Sequence, residues 1–81
     1  MRLDKYLKVS RLIKRRTIAA EACEQGRITV NGKVAKPGTD VKIGDTIYIE
    51  FGDNTLKVEV MSLSEHVLKA DAADMYKIID N

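Results

Sequence analysis

Seven of the first sixteen residues are cations: Arg2, Lys5, Lys8, Arg11, Lys14, Arg15 and Arg16. The same stretch holds one acid, Asp4, and so carries +6, whereas residues 17–81, with seven bases and eleven acids, carry −4. A chain of net charge +2 is therefore strongly polarised along its length. The chemistry such a block serves is the binding of a polyanion. The bland alternative is a solvated helix face laced with i,i+4 ion pairs, and only Asp4–Lys8 has that spacing. Lys14, Arg15 and Arg16 moreover stand at the start of Thr17–Gln25, an apparent helix closed by Gly26. Cations there oppose the helix dipole by roughly 0.3–1 kcal/mol each when exposed. Stability alone would place acids at that end. An external anion, held by helix N–H groups and by the side-chain charges, accounts for the arrangement.

No other set of residues assembles a reaction. The only histidine, His66, lies in the polar stretch Ser62–His66 and reads as a surface residue. Cys23 falls on the apolar side of the second helix and reads as a small buried hydrophobe. Asp71, Asp74 and Asp80 suggest a solvated face more than paired catalytic carboxylates. Gly26, Gly38, Gly44 and Gly52 are separate turn glycines and make no phosphate-binding loop. One cysteine and no Cys/His cluster exclude a disulfide or zinc staple. A non-enzyme without cofactor or metal is expected, and no apolar run nears the ~18 residues of a membrane span. The reading is a cytoplasmic protein.

The elements that must position the cations follow from periodicity. With 81 residues, 44% hydrophobic and 32% charged, one domain is expected over 1–81, a core of about 1–61 and an extension of 62–81. Leu3, Tyr6 and Leu7 mark a first helix over 2–12, and the second runs from about Arg15 to Gln25 with Ile18, Ala19, Ala22 and Cys23 on one side. Leu12 and Ile13 read as core anchors between them. Beyond Gly26 the period falls to two. Asn31-Gly32 between β-forming residues specifies a type I′ hairpin. Thr46–Phe51 alternates with Ile47, Ile49 and Phe51 inward, and Leu56, Val58 and Val60 alternate in the next strand. The tail from Ala70 to Asn81 reads as a short helix, with Ala72, Ala73, Tyr76 and Ile79 on one face. The fold class is α+β: two N-terminal helices on a small antiparallel sheet of about four strands, then a short C-terminal helix.

Arg2-Leu3-Asp4, then Arg16-Thr17 ahead of Gly26, then Arg27-Ile28-Thr29-Val30-Asn31-Gly32, together resemble the S4-type RNA-binding domain. Lys36-Pro37 and Ala72-Ala73-Asp74-Met75-Tyr76 extend the likeness over nearly the whole chain, to the fifteen-kilodalton heat-shock protein family of ribosome-associated S4 proteins. Longer relatives carry a basic C-terminal tail, whereas this chain stops at Asn81, which is similar to the short RqcP-type branch. The resemblance implies binding to 23S rRNA and peptidyl-tRNA on stalled free large ribosomal subunits. It also implies an RqcH-type tailing factor on the same ribosome, adding alanine tails in ribosome-associated quality control. A monomer is expected.

Carried over residue by residue, the resemblance makes Arg2 and Arg16 the principal RNA contacts and Asp4 an internal partner that holds the arginines. Lys5, Lys8, Arg11, Lys14 and Arg15 extend the phosphate surface, with Asn31 and Lys33 at the hairpin tip as further contacts. Arginine bonds phosphate bidentately and stacks on an unpaired base, which lysine cannot do. Three Tyr and one Phe, none forming a paired platform, point away from single-strand stacking and towards folded RNA recognised by shape. Three readings stay open beside this one: a protein–protein adaptor with a basic face, a general rRNA-binding assembly or recycling factor, and a fragment of an RNA-modifying enzyme.

Overall fold

Leu3, Tyr6 and Leu7 bury one face of α1 (Leu3–Val9), each fully inaccessible. The computed structural model describes residues 1–79; Asp80, and the end of the expected tail helix at Asn81, lie outside the described residues. Helix α1 is shorter than the expected 2–12. Ser10 caps it, and Arg11 turns left-handed at φ 61°, its N–H donating to the Lys8 carbonyl at 3.1 Å. This is the position where glycine ordinarily stops a helix. An arginine there costs roughly 1–2 kcal/mol of backbone strain, and it throws residues 11–14 out of the helix. Ile13 returns to the core from this turn and Leu12 packs against its edge.

Helix α2 (Arg16–Glu24) ends as its glycine requires. Gly26 takes φ 75°, its N–H reaches the Cys23 carbonyl at 3.0 Å, and the Arg27 N–H reaches that of Ala22 at 3.0 Å. These two bonds form the Schellman pair that satisfies the final carbonyls. Ala19 and Cys23 are buried and Ala22 is half-buried, but Ile18, expected with them, is 49% exposed.

The chain then enters a five-stranded antiparallel sheet of order β2-β1-β3-β4-β5. Strands β1 (Ile28–Val30) and β2 (Lys33–Val34) flank Asn31 and Gly32 at φ 53° and 85°, the two positive values of a type I′ turn. In β3 (Thr46–Phe51) Ile47 and Ile49 point inward, whereas Phe51 has run past the core and is exposed. Strand β4 (Asn54–Val60) buries Val58 and Val60.

The tail departs from the expected helix. Lys69–Met75 is a 3₁₀ helix that buries Ala72 and Met75, with Ala73 exposed, and Tyr76–Ile78 forms β5 beside β4. Without β5, the N–H and C=O groups along that edge of β4 would lack partners. A helix could not have satisfied them. Tyr6 joins the tail to α1, its buried hydroxyl donating to the Met75 carbonyl at 2.7 Å. The core thus lies between the two helices and the inner sheet face, sealed at one end by the 3₁₀ segment. The α+β class is as the sequence suggested, with a fifth strand added. No helix among the described residues is long and apolar enough to cross a membrane.

Candidate nucleic-acid interface

The start of α1 is held by the loop after β2. The Leu3 N–H donates to the Thr39 carbonyl (2.8 Å) and the Asp4 N–H to that of Pro37 (3.1 Å), while the N-terminal ammonium pairs with Asp40 at 3.0 Å. These bonds fix Arg2 in extended backbone immediately before the helix, and its guanidinium lies beside Gly38.

Asp4 is the hub. Its Oδ1 accepts from Arg2 Nε at 3.2 Å and from the Lys5 N–H at 2.8 Å. Its Oδ2 accepts from a terminal nitrogen of Arg2 at 3.4 Å and pairs with Arg16 Nε at 3.3 Å. One carboxylate therefore ties the start of α1 to the start of α2. Its side chain is 6% exposed, against 57% for Arg2 and 47% for Arg16. The acid is hidden and the two cations face solvent, their remaining N–H groups open to an acceptor. Burial by itself raises the Asp4 carboxyl; the bonds from Arg16, from the Lys5 N–H and from Arg2 outweigh it and hold the group below its ordinary value. The carboxylate is thus ionised, and Asp4 holds Arg2 and Arg16, the internal-partner role expected of it, while Lys8, at the i,i+4 spacing, makes no pair with it among the described residues.

Arg15 occupies the position before α2 with no side-chain cap, and no acid lies in the first turn. The cations at this end meet no compensating charge from their own helix, only Asp4 from α1. The side chains of Lys8, Arg11, Lys14 and Arg15 are exposed or rim-lying and enter no ion pair among the described residues. Lys8, Val9, Arg11 and Lys14 line a groove of about 360 Å³ together with Glu65, His66, Val67 and Leu68. Lys5 is set apart from them, its Nζ bonded to Glu65 at 2.8 Å.

The hairpin tip divides. Lys33 is exposed. The Asn31 side chain is committed to the fold: its amide donates to Asp45 Oδ1 and its carbonyl oxygen accepts from the Thr46 N–H, each at 3.0 Å. Asn31 therefore fastens β1 to the approach of β3. Of the nine residues singled out in the sequence, Arg2 and Arg16 converge on Asp4, while Lys8, Arg11 and Lys14 share the groove. The contribution of residues 65–68 to that groove was missed. No local pattern announces it, because the Lys5–Glu65 contact joins positions sixty residues apart.

Two helices, an Asn-Gly hairpin and a paired Arg2–Asp4–Arg16 cluster are the arrangement in which known proteins can be compared, and a family model described as the S4 domain matches residues 1–47. The chain belongs to the S4-domain family. The S4 match spans both helices, the hairpin and the whole Asp4 cluster. The Halalkalibacterium halodurans protein named "RQC P-site tRNA stabilizing factor" is 60% identical over 78 residues, covering 96% of this chain and 89% of that protein. The Bacillus subtilis protein of the same name is 53% identical, covering 98% and 92%. Among solved structures, Vibrio cholerae Heat Shock Protein 15, described as trimeric, superposes with a TM-score of 0.90 at 30% identity, covering 98% of this S4 protein and 81% of its own chain. RNA binding is the property the S4 domain implies, and the relatives place this chain in the branch named for ribosome-associated quality control.

Proposed function

We propose that this S4 protein binds 23S rRNA and the P-site tRNA on stalled free large ribosomal subunits. There it holds the tRNA in place while an RqcH-type factor extends an alanine tail. Its work is positioning, carried out in the cytoplasm with no bond made or broken. The observation that carries the reading is the Asp4 cluster. A hidden carboxylate orients two half-exposed guanidiniums at the joined starts of α1 and α2, where planar cations can fork onto phosphate or stack on a base. Relatives identical to this chain at more than half of the aligned positions are named as P-site tRNA stabilizing factors, which supports the tRNA half of the proposal.

The test is a salt titration of the chain binding to purified large subunits carrying peptidyl-tRNA. If about five phosphates are neutralised, log K falls against log[salt] with a slope of roughly −3.5 to −4.5. Affinity that does not change with salt contradicts the proposal. So does retention on a protein partner after the rRNA has been digested, which is the behaviour of an adaptor.

A further inference from the structure

The groove between the α1–α2 turn and residues 65–68 is lined by two unlike segments. Residues 8–14 supply three cations, Lys8, Arg11 and Lys14, with the partly buried Val9 among them, and residues 65–68 supply His66 and Leu68. Leu68 is 75% exposed, so the fold gains little from it, and His66 is exposed beside it. A rim of bare phosphate-binding charge would need no apolar wall. The groove's volume, about 360 Å³, lies at the small end of the range for ligand pockets, suited to a unit no larger than a nucleotide. Glu65 also borders it, but its carboxylate is occupied by Lys5 at 2.8 Å, so the one acid there is neutralised. Arg11 reaches the groove from the left-handed turn that ends α1, a conformation unfavourable to a side chain of its size.

We propose that this groove seats a single unstacked nucleotide of the bound RNA, its phosphate across Lys8, Arg11 and Lys14 and its base against His66 and Leu68. The inference rests on the RNA-binding reading above and adds a base-contacting wall drawn from outside the two-helix, basic part of the chain. Cations alone cannot tell one exposed strand of phosphates from another. A base splayed from a loop or bulge presents a π-face, which an imidazole can stack against and a leucine can cover. The 65–68 segment thereby favours a site in the RNA where one nucleotide is already out of the helix. The Lys5–Glu65 pair, exposed at the surface, links this segment to α1.

The test measures binding of the full chain to purified large subunits carrying peptidyl-tRNA, for His66→Ala, His66→Phe, Leu68→Ala and Arg16→Ala. His66 and Leu68 are surface positions, so substitution there should leave the fold intact, as thermal unfolding will check. Loss of a stacked base predicts affinity reduced about fivefold or more in His66→Ala. Leu68→Ala should weaken binding in the same direction, and His66→Phe should remain within about twofold of wild type. The salt slope should match wild type in the His66 and Leu68 variants, because no phosphate contact is removed in them. Wild-type binding by His66→Ala overturns the seat, as does His66→Phe binding no better than His66→Ala. A slope made shallower by about 0.7–0.9 in His66→Ala also overturns it, since that signals a phosphate contact instead of a base. Arg16→Ala separates the two levels. If it weakens binding while His66→Ala does not, the seat alone falls; if Arg16→Ala binds as wild type, the RNA reading itself fails.

Discussion

Asp4→Asn sets two accounts of the interface against each other by the sign of its effect. The substitution removes a negative charge from the basic face and raises the net charge from +2 to +3. If cation number alone governs affinity, RNA binding should strengthen or stay level, as counterion release rewards positive charge. If Asp4 acts by aiming Arg2 and Arg16, binding should weaken. The structural magnitude follows from its contacts. Asparagine keeps an oxygen for the Lys5 N–H, now 2.8 Å from Oδ1, but loses the ionic contacts with Arg2 and Arg16 at 3.2 and 3.3 Å. Both guanidiniums are about half exposed, so each contact resembles a screened pair of roughly 0.5–1 kcal/mol more than a buried one. Folding stability should therefore drop by about 1–2 kcal/mol, read from urea unfolding at pH 7. Subunit affinity should drop about fivefold in the same buffer, as the guanidiniums lose their fixed orientation. The pH dependence has a definite sign. Asp4 titrates below its unfolded value, so between the two values the unfolded chain binds the extra proton and stability rises with pH. That contribution is present above the ordinary carboxylate range near about 3.9 and is lost as pH falls through the lowered value. Asp4→Asn should flatten this acid limb. Tighter RNA binding together with unchanged stability would refute the orienting role outright.

Three further outcomes are expected. Arg16→Ala should weaken association with large subunits by about 1–3 kcal/mol while costing only about 0.5–1 kcal/mol of folding stability through the lost Asp4 contact, and Arg16→Lys should restore only part of the binding, since lysine lacks the planar fork. Tyr6→Phe removes a donor from the Met75 carbonyl, which still accepts from the Met61 and Ser62 N–H groups, so urea unfolding should show a loss of only about 0.5–1.5 kcal/mol. Cys23 has its thiol pushed up to about 11, by burial first and then by the charges of Asp4 and Glu24; alkylation at pH 8 should be slow in the native chain and should accelerate on unfolding.

The parts of this molecule that could be read in advance are those whose cause is local. Asn31-Gly32 had to turn because two adjacent positive φ angles suit few other pairs, and Gly26 had to end α2 for the same reason. The inward faces of β3 and β4 followed from alternation, up to Phe51, where the strand outlasts the core it packs on. The end of α1 was hidden because Arg11 occupies a position where glycine is the usual signal. The tail misled for a different reason. Its apolar spacing fits a helix, but Tyr76–Ile78 answers to the open edge of β4, sixteen to twenty residues earlier in the chain. At the site, Arg2, Asp4 and Arg16 were legible through their motif, and Asp4 as their internal partner with them. The groove wall at residues 65–68 was not, since a contact such as Lys5–Glu65 exists only once the sheet and 3₁₀ segment have closed the chain.

The central claim, that this S4 protein stands on large-subunit RNA next to a tRNA, is tested most directly by crosslinking the chain in cells and sequencing the attached RNA. Recovery of 23S rRNA together with tRNA, with both reduced in Arg16→Ala, is the predicted result. A spread of mRNA fragments, or rRNA and tRNA recovered equally by Arg16→Ala, would contradict it.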